Sequence, residues 1–316
     1  MTHAPGPPRR AWAGRLGLLL AGLAVGGLTF LLVLQVRAGT STGPVPTATP
    51  AAPAQEAPGT AGSPGPPAAD DDGGVDGAGG TDGAGEAGGA PLAGLTVAVD
   101  PGHNGANAEK PLTVNAPVPD GRGGTKACNT VGTATAAGYP EHAFAWDVAA
   151  RLTDRLTALG ATVVLTRPDD AGVGPCVDAR GRFPQEHGAD VLVSLHADGA
   201  EDRGVDGFFV IVADPPVHEA QGAPSVALAQ DLVGALGAAG FVPSDRYDGA
   251  ISRRADLATL NHAERPAVLL ELGQMRHPAE GALMESEAGR QRYADAVAAG
   301  LRAWAADRGV PGPPQD

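Results

Sequence analysis

Between residues 94 and 308, short apolar runs rich in β-branched residues alternate with segments whose apolar residues recur every three or four positions. That alternation restricts the chain to an α/β sheet with helical crossovers. The strand-like runs are Leu95–Asp100, Ala161–Thr166, Asp190–Leu195, Gly207–Ala213 and Arg265–Leu270. Helices are expected over Glu141–Leu159, Val177–His187, Ser225–Ala239 and Glu287–Arg308. In the first of these, Phe144, Val148, Leu152, Leu156 and Leu159 fall on one face, and Gly160 supplies a stop. A segment of about 215 residues can bury one substantial core. The expected fold class is a single α/β domain with a mostly parallel sheet flanked by helices. Residues 104–138 show neither period and read as a long irregular loop, a length that in a compact domain goes with function or mobility.

The chain before this domain reads differently. Residues 1–15 are polar and hold Arg9, Arg10 and Arg15. Residues 16–36 carry no charge at all, and as a helix they would extend about 31 Å, enough to span a bilayer. Three arginines before the span and one after it predict a cytoplasmic N-terminus, with the bulk of the chain outside. Cleavage near Val36-Arg37-Ala38 would instead release a secreted protein. Residues 37–93 are dense in Pro, Gly, Ala and Thr and contain no Lys or Arg after Arg37. Such a segment buries too little apolar surface to offset its ordering entropy and is expected to be a disordered linker. Residues 309–316 are expected to be a tail. The formal charge is −14, and no basic stripe stands out, which argues against nucleic acid as a partner.

Cys128 and Cys176 are the two cysteines. An exported chain folds in an oxidising compartment, where two cysteines tend to pair. Pairing would close a loop of roughly 49 residues and, on the chain-entropy estimate, add about 4 kcal/mol. The rival reading is a pair of zinc ligands, although CxxC spacing is absent.

Residues at the ends of the strands suggest the chemistry. Val99-Asp100-Pro101-Gly102-His103 delivers a histidine to the end of the first strand. Ser194-Leu195-His196-Ala197-Asp198 delivers another after the third, and Leu270-Glu271-Leu272-Gly273 ends a later strand in a carboxylate. Glu141 stands in the first turn of a helix. In open α/β sheets ligands bind at these strand ends. Two histidines and one carboxylate are a known catalytic zinc set with a fourth position for water. A further carboxylate kept off the metal can move the proton of that water.

In several ordered pieces the chain from about 94 to 308 resembles the zinc-dependent N-acetylmuramoyl-L-alanine amidases of the Amidase_3 family. The pieces are Val99–Gly105, Tyr139-Pro140-Glu141, Leu165-Thr166-Arg167, Ala189–Asp198 and Leu270–Gly273. The stretch Gly132-Thr133-Ala134-Thr135, followed by Gly138-Tyr139-Pro140-Glu141-His142 and flanked by the cysteines, is similar to the mycobacterial-type cell-wall subgroup. The resemblance implies one zinc per chain on His103, Glu141 and His196, with Glu271 as the catalytic glutamate. It implies a Cys128–Cys176 disulfide and a peptidoglycan or muropeptide substrate cut between N-acetylmuramic acid and L-alanine. Gln185 departs from the family, which often has Asn five residues after the arginine at Arg180. The segment Asp214–Pro224 is too short and proline-rich for the plugging helix some members carry. The membrane is the other expected partner, through residues 16–36; no regulatory protein partner is indicated.

Two other readings compete: a non-catalytic peptidoglycan-binding scaffold with this fold, and a zinc peptidase cutting within stem peptides. The remaining polar residues have plainer expectations. His142, His187, His218, His262 and His277 read as surface or capping groups, and Arg167 and Arg180 as structural. Asp100 is expected to orient His103 or cap its turn, and Asp198 to act similarly. Asp256 and Asn261 are expected to shape the cleft.

Overall fold

A computed structural model describes residues 90–308. The expected cytoplasmic segment 1–15, membrane span 16–36, linker as far as residue 89 and tail 309–316 lie outside the described residues. None of the described helices is long and apolar enough to cross a membrane.

All five expected strands form, as β1 (Thr96–Pro101), β4 (Thr162–Leu165), β5 (Val191–Asp198), β6 (Phe209–Ala213) and β8 (Ala267–Gln274). A further edge strand, β7 (Ile251–Arg254), is too short and too charged to show in the sequence pattern. The sheet order is β4-β1-β5-β8-β6-β7. β4, β1, β5 and β8 are parallel, β6 runs antiparallel to β8, and β7 runs parallel to β6. Val97, Ala98 and Val99 in β1 and Val191, Leu192 and Val193 in β5 are all fully buried, so the central strands are covered on both faces as parallel sheets require.

The long helices are α2 (Glu141–Ala158), α3 (Val177–Glu186), α4 (Ala223–Ala238) and α7 (Glu287–Asp307). α2 buries Phe144, Val148, Leu152 and Leu156, the stripe its spacing predicts. The chain leaves β1 through α2 to β4 on one side, then crosses back through α3 to β5 on the other. Right-handed crossovers in opposite directions put their helices on opposite faces of the sheet. Accordingly α2 and α4 both contact α7, whereas α3 contacts the short helix α5 (Ala258–Asn261). The order therefore switches between β1 and β5, and the C-terminal ends of those two strands face a crevice of the kind that binds ligands in such sheets.

The stretch 104–138 is largely irregular, as expected, but not wholly so. It holds the one-turn helix α1 (Pro111–Val114) and a hairpin of β2 (Pro117–Pro119) and β3 (Thr125–Ala127). Each piece is too short to give a periodic signal. A disulfide joins Cys128, just after β3, to Cys176 at the start of α3. The zinc-ligand reading of the cysteines therefore falls. Beside the bridge, Val177 N donates to Cys128 O at 2.8 Å. One more helix, α6 (Pro278–Glu285), was not apparent in the sequence; the side chain of His277 caps it, accepting from Glu280 N.

Candidate metal centre

β1 leads directly into the first component of the site. After Pro101 the chain turns so sharply that His103 adopts φ 58°, a left-handed conformation uncommon for a residue with a side chain. Two buried arginines hold that turn. Arg180 donates from Nη1 to Pro101 O at 2.7 Å and from Nη2 to His103 O at 2.7 Å. Arg167 donates from Nε to Pro101 O at 2.9 Å and from Nη2 to Gly102 O at 3.3 Å. Asp100 balances Arg180 at 2.8 Å and also accepts from Thr166 Oγ1 at 2.5 Å and Ser194 Oγ at 2.6 Å. Burial alone would raise the Asp100 carboxyl, but Arg180 and the two hydroxyls outweigh it and keep it below its ordinary value.

Of the two roles expected for Asp100, the structure shows support of the His103 turn, through Arg180; the carboxylate does not touch the imidazole. The ring is oriented by Thr130 instead. Thr130 O can only accept, so His103 Nδ1 carries the proton at 3.0 Å and Nε2 is left facing the cleft. Thr130 gave no signal in the sequence, because the interaction is made by its backbone.

The other components converge on Nε2. Glu141 is the first residue of α2, and its Oε1 lies 2.9 Å from His103 Nε2 and 2.9 Å from His196 Nδ1. Its Oε2 accepts from Thr133 N at 2.9 Å. His196 reaches the cluster from β5, across the crevice. Its ring lies against Gly102, where a Cβ would come within 2.6 Å of both ring nitrogens. Gly102 is therefore required by close approach. Burial would raise the Glu141 carboxyl, yet His103 and His196 hold it well below the carboxylate range. Burial would lower His103, and the Glu141 carboxylate raises it instead.

One ligand atom from each of His103, Glu141 and His196 lies within 4.8 Å of the other two. A carboxylate oxygen and two imidazole nitrogens directed at one another need a cation between them, either a proton or a metal. Two imidazoles and one carboxylate, with a backbone carbonyl fixing one tautomer, suit a catalytic zinc ion.

Glu271 stands across from His196 in the parallel register of β5 and β8. It lines the same cleft of about 480 Å³ as the three cluster residues. Its Oε2 is shut from solvent and has no hydrogen-bond partner among the described residues. Burial pushes the carboxyl well above its ordinary value, and the nearby Glu141 charge pushes it further.

A profile of the Amidase_3 family, described as N-acetylmuramoyl-L-alanine amidase, matches residues 97–303. An N-acetylmuramoyl-L-alanine amidase of Mycobacterium tuberculosis is 44% identical over 220 residues, which are 69% of this chain and 89% of that protein. The chain belongs to the Amidase_3 family. The crystal structure of the N-acetylmuramyl-L-alanine amidase of Mycobacterium smegmatis is 43% identical and superposes with a TM-score of 0.66, covering 68% of this chain and 99% of that one. The Mycobacterium abscessus enzyme, 45% identical, gives a TM-score of 0.65 over 67% and 99%. The protein is accordingly a hydrolase of the N-acetylmuramoyl-L-alanine amidase type.

The remaining polar residues of this amidase have other partners. Its Gln185 lies away from the cluster, donating from Nε2 to His262 O at 2.8 Å and accepting from Glu264 N at 3.3 Å. The segment Asp214–Pro224 forms no plugging helix; Gln221 Nε2 anchors it on the carbonyls of Leu260, Asn261 and Ala263. His142 turns away from the cluster to Asp170 Oδ2 at 2.7 Å. His187 stacks on Phe183, His218 and His277 cap helices, and His262 lies 3.1 Å from Pro119 O. Asp198 accepts from Arg246 and Gln274 at 2.8 and 2.9 Å. Asn261 ties Asp120 O to Ala255 O beneath the hairpin.

Proposed function

We propose that the chain hydrolyses the amide between N-acetylmuramic acid and L-alanine in peptidoglycan, with zinc held by His103, Glu141 and His196. The observation that carries this reading is the His–Glu–His cluster with the Glu271 carboxyl, whose Oε2 has no hydrogen-bond partner among the described residues, lining the same cleft. Zinc, when bound there, supplies a Lewis acid that polarises the scissile carbonyl and acidifies a water. Glu271 takes the proton of the attacking water at its carboxylate and delivers it to the departing amine of L-alanine. Burial, by raising the affinity of Glu271 for that proton, suits it to both halves of the transfer. His103 and His196 are held in place by Thr130 and Gly102, so little reorientation is needed. Residues 16–36 would anchor the enzyme, with residues 37–93 as a tether and the catalytic domain outside the cytoplasm in reach of the wall. Cleavage of the anchor would release it.

The test is metal analysis of the full chain together with mass analysis of products from muropeptides. One zinc per chain and a lactyl–alanine cut, both lost on chelation and restored by zinc, are expected. Absence of zinc from folded, disulfide-bonded protein, or cuts confined to the stem peptide, would reject the proposal.

Gly102→Ala provides a more local check. The added methyl would displace the His196 ring, and disturbing such a supporting contact weakens metal binding by about 10–100-fold. Competition with a chelator should show that loss while the far-ultraviolet circular dichroism stays as in the parent; equal zinc affinity in both proteins would contradict it.

A further inference from the structure

We infer that the cleft has a direction, in which a second groove beside the cluster takes the acidic stem-peptide side of the substrate and Arg203 and Arg276 bind its carboxylates. This rests on the amidase reading above and adds to it the orientation of the substrate. The groove, of about 670 Å³, continues from the catalytic cleft across a shared wall of Val131, Gly132 and Thr133. Arg203 follows β5, the strand of His196, and Arg276 follows β8, the strand of Glu271. Both line the groove at the same C-terminal edge of the sheet.

The charges differ between the two ends of the cleft. Among the described residues, neither Arg203 nor Arg276 has an ion-pair or hydrogen-bond partner, and both are exposed. No acidic residue lines the groove, and three carboxylates near it are engaged. Asp170 is held by His142 at 2.7 Å and Arg167 at 2.8 Å, and Glu285 accepts from Thr135 Oγ1. Asp202, next to Arg203, caps Gly204 N at 2.9 Å.

At the opposite end a recess of about 180 Å³ reaches Lys126 and Leu257. Lys126 is the one cation that lines it, and its Nζ donates to Asp256 O at 2.5 Å; Arg254 and Arg246, which do not line it, pair with Asp256 at 2.6 and 2.8 Å and with Asp198 at 2.8 Å. The two halves of the substrate differ in the same sense. Once its lactyl group is joined in the amide, the N-acetylated sugar side carries no charge, whereas the stem peptide keeps free carboxylates. In a chain of net charge −14, two uncommitted guanidiniums in one groove select the peptide side.

The probe is free stem peptide in two forms, one with the acidic residue after alanine bearing a free carboxylate and one with that group as its amide. Each is titrated calorimetrically into the full chain. An exposed ion pair contributes up to roughly five-fold in affinity, so the acid form should bind wild type about five- to twenty-fold more tightly, with the excess shrinking as salt is raised. Arg203→Gln and Arg276→Gln should each remove part of that preference, and the double variant all of it. Equal binding of the two forms by wild type, including no binding of either, or a preference surviving in the double variant, would overturn the inference. Muropeptide cleavage measured in parallel separates the two readings. Cleavage without acid preference rejects the groove assignment alone, and acid preference without cleavage rejects the amidase reading alone.

Discussion

Glu271→Gln is expected to lower kcat by about 10³-fold, within the range found for loss of a general acid–base group, while zinc content stays at one per chain. The amide keeps the shape of the carboxyl but cannot accept and return a proton. His103, Glu141 and His196 do not hydrogen-bond Glu271, so the metal cluster should survive the change. Single-turnover cleavage of a muropeptide, with metal analysis of the same sample, checks both halves. Wild-type rates in the variant would remove Glu271 from the reaction, and loss of zinc would reassign it as a ligand.

Burial gives a second readout. The Glu271 carboxyl is raised in the folded chain, so between the unfolded value of about 4.3 and the folded value the unfolded chain binds fewer protons. Stability of the metal-stripped wild type therefore falls as pH rises through that window. Glu271→Gln lacks this loss, and its stability relative to wild type should increase upward from about pH 4.

Arg180→Met is expected to cost about 3–5 kcal/mol of stability, the penalty of leaving one partner of a buried ion pair alone. Both groups are almost fully enclosed, with Arg180 2 % and Asp100 1 % exposed. The variant also frees the carbonyls of Pro101 and His103, which carry the left-handed turn at His103. Activity of the folded fraction should fall with stability. The sign of the pH dependence is fixed by Asp100. Its folded value is depressed in the wild type, so its contribution is present above the unfolded value of about 3.9 and is lost as pH falls through the folded value. Without Arg180 the carboxylate is buried unpaired, so the difference between the proteins should be largest near neutral pH and shrink below about pH 4. Urea midpoints at several pH values test this, and identical midpoints would contradict it. Asp100→Asn combined with Arg180→Met should cost less than the two single changes added together.

The readings that succeeded from sequence rest on local rules. Phe144, Val148, Leu152 and Leu156 share a helix face because the period is 3.6, and Val97, Val99, Val191 and Val193 form strands because β-branched runs suit a sheet covered on both faces. The cluster of His103, Glu141 and His196 was legible as ordered motifs of a family, not from spacing. Those residues are separated by as many as 93 positions, and nothing local links them.

The rest was beyond local pattern. β7 and α6 are short, and α1 and the β2–β3 hairpin give no periodic signal within 104–138. Thr130 orients His103 through a carbonyl, which every residue has, so the side chain at 130 could not announce it. Arg180 supports a turn 77 residues earlier in the chain, and Arg203 and Arg276 meet one groove only because β5 and β8 are neighbours. Local pattern was enough to place five strands of the sheet, the four long helices and the residue types available for chemistry. Which of them meet follows from sheet order and crossover direction, which bring distant residues to one edge, where burial and neighbouring charges together shift each titrating side chain.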